Sequence, residues 1–228
     1  MFIFYFGCCF GSFFTVVASR LPLREDFIFS RSCCHHCQKK LAFYELVPLF
    51  SILSQKFRCR SCQKKIPTFY FIVELVYGGL FYLAIHQLTL ADQLIFGLWV
   101  TMAYLLALTD YFYLIVEPRI LYPFTFLLWL VAFYFQRPFY YSTFILLLIF
   151  ALSVYFFFYN YFGFGDCLLL LAWGPWLSLR ALAFLLASAS ISALLLIILK
   201  ALLKKEVPKQ LPFVPFLSFG LVLVLLFF

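Results

Sequence analysis

Long apolar runs and short polar breaks alternate along almost the whole chain. The apolar runs fall at 2–19, 69–88, 93–112, 119–135, 139–160, 167–180, 182–200 and 212–228. A helix needs roughly 20 apolar residues to cross the hydrocarbon of a bilayer, with about 17 as the lower limit. Seven of these runs reach that length, and the sixth is short by itself. Pro123 and Pro175 lie inside runs, which membrane helices tolerate because neighbouring helices re-satisfy the freed carbonyls. Only residues 20–68 form an extended polar excursion. The pattern predicts an all-α polytopic integral membrane protein of about eight transmembrane helices. It divides into a first span (1–19), a polar segment (20–68) and a membrane domain (69–228).

Composition supports the same reading. The chain has 228 residues, 66% hydrophobic and 23% aromatic, with 34 Phe and 15 Tyr; soluble domains carry roughly 45–50% apolar residues. The N-terminal run has no basic residue before it, since the first is Arg20, so it reads as a retained span rather than a cleaved signal. Eight spans place alternate connections on alternate sides. One side then receives fifteen Lys and Arg: ten in 20–68, Arg119, and four between Lys200 and Lys209. The other receives Arg137 and Arg180. That asymmetry orients the polar segment towards the cytosol. The net charge of +8 is therefore a matter of topology and anionic lipid, and nucleic acid is not an expected partner. The same count carries Asp110 and Asp166 to the cytosolic face.

The polar segment repeats itself. "CHHCQKKL" (34–41) and "CRSCQKKI" (59–66) share C-x-x-C-Q-K-K and are offset by 25 residues. Two such pairs suit a tetrahedral zinc site built from Cys34, Cys37, Cys59 and Cys62, so a small zinc-ribbon-like cysteine domain is expected. A cytosolic setting disfavours disulfides; redox-active thiols are the competing reading. Cys33, His35 and His36 are further candidate ligands. Cys8, Cys9 and Cys167 sit in apolar runs and read as packing residues.

Carboxylates in or beside apolar runs call for a reason, because one at a helix centre costs about 2.5 kcal/mol or more. Asp110 ends "YLLALTD" and Asp166 ends "GFGD". Gly163 and Gly165 permit positive φ and leave room for a backbone or substrate strand to approach closely. If the two aspartates converge, mutual repulsion leaves them sharing one proton at neutral pH, the state in which one carboxylate accepts a proton and the other donates one. Glu117 lies about 10 Å further along a continued helix, but Pro118 argues against continuation. Glu74 is placed to hydrogen-bond a neighbouring helix, and Asp92 to be solvated. A proton- or cation-coupled transporter using the same acids, and a zinc-bearing adaptor without catalysis, are the alternatives.

Several stretches, in order, resemble the type 4 prepilin peptidase family. "GSFFTVVASRLP" (11–22) is similar to its opening motif, and "RSCCHHC", "YELVPLFSIL", "RCRSC" and "FYFIVEL" to its cysteine-domain pattern. "LTD" and "GFGD" match its two catalytic motifs, and "LPFVPFL" (211–217) its C-terminal one. The resemblance implies a membrane aspartic endopeptidase that removes the basic leader of type IV prepilin or pseudopilin substrates at the cytosolic side. It further implies N-methylation of the new N-terminus with S-adenosylmethionine as methyl donor. Asp110 and Asp166 become the catalytic pair, Gly163 and Gly165 the active-site loop, and Cys34, Cys37, Cys59 and Cys62 the zinc ligands. The small, Phe-rich form is most similar to enzymes serving competence pseudopili. Thr15 replaces the family's usual asparagine, and Val116-Glu117-Pro118-Arg119 replaces its usual I-P-D or I-P-N. No glycine-rich nucleotide signature marks a place for S-adenosylmethionine.

Overall fold

The protein's structure is a computed structural model that describes residues 1–28, 30–34, 36–87, 89–157, 163–204 and 210–227. Among the described residues, helices occupy most of each apolar run. The helices are α1 (Phe2–Arg20), α2 (Phe50–Ser54), α3 (Thr68–Gln87), α4 (Leu90–Tyr113), α5 (Pro118–Tyr134), α6 (Tyr141–Phe157), α7 (Phe164–Trp173), α8 (Leu179–Leu202) and α9 (Val214–Phe227). Among the described residues, α1, α3, α4 and α8 have the length and apolarity to cross a membrane, and α5, α6 and α9 are shorter apolar helices. The chain is a multi-pass membrane protein. Two compact units emerge from the packing, Met1–Gln93 and Leu94–Phe228.

In the first unit α1 packs along α3. Two glycines set how closely: a Cβ on Gly7 would lie 2.7 Å from the Phe81 Cβ, and one on Gly78 would lie 2.4 Å from the Cys8 Sγ. Small residues let membrane helices approach until backbone meets side chain, where dispersion does the work that hydrophobicity does in water. Phe14 closes edge-on against Tyr77, with ring centroids 5.3 Å apart. The polar excursion is therefore an insertion between two packed helices. Packing joins what polarity separates, so the compact unit runs through the polarity changes near residues 20 and 68.

In the second unit α4 carries an almost continuous buried set, including Val100, Met102, Ala103, Leu106, Leu108 and Thr109. The Ser218 hydroxyl of α9 donates to the Ala103 carbonyl of α4 at 3.0 Å, and α9 also lies against α8. Outward residues such as Phe126, Ile149 and Leu195 are apolar and exposed, as lipid-facing side chains should be.

The sixth span differs from its sequence expectation of 167–180. Helix α7 starts at Phe164 and stops at Trp173, and a 3₁₀ turn covers Gly174–Trp176. Pro175 has no N–H to donate and forces the break. The freed groups find partners: the Trp129 indole N–H donates to the Ala172 carbonyl at 2.9 Å, and the Tyr140 N–H to the Pro175 carbonyl at 2.8 Å. Trp129, Phe133, Phe139, Phe144 and Trp176 interlock around this corner, mostly edge-to-face, the geometry that ring quadrupoles prefer.

Candidate active site

Asp110 sits in the last turn of α4, 7% exposed. The helix ends just beyond it because Leu114 adopts φ 57°, while the Leu114 N–H closes on the Asp110 carbonyl at 2.8 Å. Residues 115–117 then lead to Pro118, the first residue of α5. Proline suits that position, where an N–H would have no helical acceptor.

The Asp110 carboxylate has a partner 104 residues away. Its Oδ2 accepts the Val214 N–H at 2.9 Å, and the Phe213 N–H bonds the same carboxylate. Val214 opens α9. The first N–H groups of a helix lack internal acceptors and carry the positive end of its dipole, so a carboxylate there is both bonded and favoured by charge. One oxygen of Asp110 is thereby fixed.

Asp166 is the third residue of α7 and is half-buried. Its N–H donates to the Gly163 carbonyl at 3.0 Å. Its carboxylate lies within electrostatic reach of Asp110. Thus two acids 56 positions apart in the chain come within range of each other's charge, one from the end of a helix and one from the start of another.

The two motif glycines contribute differently. Neither takes positive φ: Gly163 caps α7 at φ −66°, and no glycine among the described residues has positive φ. The second expected property, close approach, belongs to Gly165. A Cβ there would lie 2.7 Å from Val116 Cγ2 and 2.8 Å from Val116 Cβ. The missing side chain lets the 115–117 segment rest on the first turn of α7. A Cβ on Gly163 would meet nothing closer than the Asp166 Oδ2, at 3.4 Å.

Glu117 is also 7% exposed. It caps α5 through its backbone, accepting from Ile120 and Leu121 at 3.1 and 3.0 Å, and its Oε1 lies 3.7 Å from the Arg119 Nε. Glu74 binds across helices as its position suggested: it accepts from Ser12 of α1 and, beyond that expectation, from the Leu49 N–H at 2.9 Å.

The repeated cysteine motif folds into two matching knuckles. In the first, Cys34 N–H bonds the Lys39 carbonyl and Gln38 N–H the Cys34 carbonyl, at 3.0 and 2.9 Å. In the second, Cys59 and Lys64, and Gln63 and Cys59, do the same at 2.9 and 2.8 Å. Gln38 and Gln63 both take left-handed φ, 54° and 57°, and isolated bridges join Cys33 to Lys40 and Arg58 to Lys65. The Sγ atoms of Cys34, Cys37, Cys59 and Cys62 all lie within 4.8 Å of one another, with Cys34 and Cys62 at 3.9 Å. A tetrahedron with metal–sulfur bonds of about 2.3 Å has sulfur edges of about 3.8 Å, so this cluster can hold a metal ion. Backbone N–H groups of Cys37 and then His36 pull the Cys34 thiol down to about 6. At Cys62 the Lys64 N–H pulls down, but desolvation and bonds to the other three sulfurs push the thiol up to about 11. Cys33 instead donates to Gln38 Oε1 at 3.3 Å; His35 lies outside the described residues.

Two contributors escaped the sequence reading. Val214 carries its role in its backbone, and Val116 in its shape, so neither residue type advertises chemistry. The nearest signal was the Pro212–Pro215 frame, which marks a helix start with free N–H groups beside a motif otherwise without a task.

Two family models match the chain. The bacterial peptidase A24 N-terminal domain matches residues 5–88, and the type IV leader peptidase family matches residues 94–198. Three relatives named prepilin leader peptidase/N-methyltransferase illustrate the similarity. The Myxococcus xanthus protein is 41% identical over 38% of this chain and 26% of its own length. The Bacillus subtilis protein is 33% identical over 52% and 48%. The Pectobacterium carotovorum protein is 28% identical over 94% and 88%. In the first two, the matched stretch takes in about half the relative's length or less. No solved structure matches the chain. The first model fits the unit that holds the cysteine knuckles and the second fits the unit that brings Asp110 to Asp166: the chain belongs to the type IV leader peptidase family.

Proposed function

We propose that the protein is a membrane aspartic endopeptidase that cleaves the leader of type IV prepilin-like proteins, with Asp110 and Asp166 as its catalytic pair. The observation that carries this reading is the electrostatic pairing of the two acids, one of them bonded to the N-terminus of α9. Two carboxylates sharing a partly desolvated site hold one proton between them. The unprotonated one accepts a proton from water as the water oxygen bonds to the scissile carbonyl carbon. The protonated one donates to the carbonyl oxygen. Collapse then breaks the C–N bond, and the proton taken from water passes to the leaving amine. Asp110, fixed through Oδ2, holds its geometry through this cycle, and the Gly165–Val116 contact sets where Asp166 stands.

The site faces the cytosol of a bacterial cytoplasmic membrane in this reading, supported by the fifteen-to-two distribution of basic residues. The metal is zinc, supported by an all-sulfur donor set with tetrahedral spacing. Zinc would hold the four sulfurs as thiolates and tie the two knuckles together. The names of the relatives support a second activity, N-methylation of the new N-terminus, with S-adenosylmethionine as donor. The described residues contain no strand and hence no βαβ nucleotide site, so no methyl-transfer step is assigned to residues.

The test is cleavage of a prepilin by the membrane-inserted enzyme. Asp110→Asn and Asp166→Asn should each lower the rate by about 10²-fold or more, while helix content and insertion persist. Normal processing by either variant sinks the assignment. Mass spectrometry of the cleaved product reads the methyl group in the same experiment.

A further inference from the structure

The Leu49–Glu74 hydrogen bond has consequences for where the cysteine module sits. Helix α3 has 20 residues, about 30 Å, which the hydrocarbon layer uses in full. Glu74 lies six residues inside it, about 9 Å from the end that adjoins the module. Ser12, bonded to the same carboxylate, lies eight residues before the end of α1, about 12 Å deep on its own helix. The Leu49 N–H reaches Glu74 at that depth. Leu49 has φ 59° and ψ −53°, and the Phe50 N–H bonds the Pro48 carbonyl across it. This is a tight γ-turn of the strained kind, held in place by the carboxylate.

The chain around this turn is apolar and uncovered. Phe43 is 78% exposed and Phe50 68%, with Tyr44, Leu46 and Leu53 exposed beside them. Much of the backbone is satisfied internally: Ala42 N–H by Glu45, Leu46 by Phe43, Ser51 by Val47 and Leu53 by Leu49. That is a requirement for backbone lying in hydrocarbon, and none for a loop in water. Cations flank the apolar patch. The Arg31 guanidinium lies 5.5 Å over Phe43, and that of Arg60 lies 5.5 Å over Tyr44. Tyr44, Ser54, Gln55, Arg58, Arg60 and Gln63 line a cavity of about 330 Å³, and no acid is among them.

We propose that Phe43–Leu53 is a re-entrant anchor. It dips into the adjoining lipid leaflet as far as Glu74, and the Arg58–Arg60 cavity receives the phosphate of an anionic lipid headgroup. Apolar side chains below and guanidinium groups above are the layered chemistry of an interfacial element. The basic rim also disfavours the other apolar occupant, a substrate helix led by a basic peptide.

A benzophenone side chain at Phe50 tests this in full-length protein, reconstituted in nanodiscs of phosphatidylcholine with or without phosphatidylglycerol. Phe50 should crosslink lipid, and the exposed Lys39 position should not. Arg58→Gln and Arg60→Gln should each reduce the preference for phosphatidylglycerol by about fivefold. Equal lipid labelling at the two positions overturns the anchor, as does capture of added prepilin by Phe50 in place of lipid. An unchanged lipid preference in both arginine variants overturns the headgroup site. Amide exchange of residues 47–53 in the unaltered protein provides an independent check. Slow exchange is expected, and exchange at solvent rates overturns the proposal.

Discussion

The G-x-G-D motif contains two glycines, and the structure requires only one of them to be glycine. Gly165→Ala places a methyl carbon 2.7 Å from Val116 Cγ2 and 2.8 Å from Val116 Cβ, where ordinary carbon contacts begin at about 3.5 Å. Something must move by nearly 1 Å, either the first turn of α7 or the 115–117 segment. Overpacking of this kind costs about 1–3 kcal/mol. Alanine returns up to about 1 kcal/mol through helix propensity, so the folded protein should persist with little loss. Catalysis is less forgiving, because a displacement of about 1 Å at a reacting group costs about 10²-fold. Initial rates of prepilin cleavage should therefore fall by about 10²-fold in Gly165→Ala, with near-normal stability. Val116→Gly removes both offending carbons, so the double variant should regain most of the lost rate. Gly163→Ala should keep substantial activity, its added methyl meeting only Asp166 Oδ2 at 3.4 Å, at a capping cost of about 1 kcal/mol. Full activity in Gly165→Ala, absence of rescue by Val116→Gly, or greater damage from Gly163→Ala would each refute the geometry.

Three other expectations can be checked with the same enzyme. Glu117→Gln should retain substantial cleavage, since Glu117 serves α5 through its backbone and pairs with Arg119; complete loss would demand a different catalytic pair. Metal analysis should find zinc in the purified protein and lose it in a Cys59→Ser, Cys62→Ser variant. Equal, low zinc in both proteins would refute the ligand set. Trp129→Phe removes the donor to Ala172 and should cost about 0.6–1.7 kcal/mol in a membrane setting, measurable as a lower unfolding midpoint; an unchanged midpoint would mean that Ala172 finds another donor.

The candidate site residues stood out because their types are expensive in their surroundings. An acid beside apolar runs and a duplicated C-x-x-C in a membrane protein both stand out from a background of Phe and Leu, and the family motifs fixed their order. The positions of the apolar helices were equally legible, since a helix in lipid must present apolar side chains along its length. The sequence expectation failed at the sixth run, where Gly174-Pro175 ends α7 and the next helix waits for Ser178. Hydropathy does not register a missing N–H. Nor could it say which freedom of the two glycines would be used, since φ depends on how the chain is held, not on what glycine permits.

The sequence alone determined that the chain lives in a bilayer, that one segment carries a duplicated C-x-x-C pair, and that two aspartates lie at span ends. Those properties follow from side-chain transfer energies and local spacing, which each residue carries wherever it goes. Only tertiary structure decided that Asp110 meets the first N–H groups of α9, that Val116 fills the space Gly165 leaves, and that Leu49 reaches down to Glu74. Each of these pairs a side chain with a backbone group, or a shape with a gap, far away in the chain. Backbone is the same at every residue, so a linear sequence holds no mark of which N–H a distant carboxylate will find.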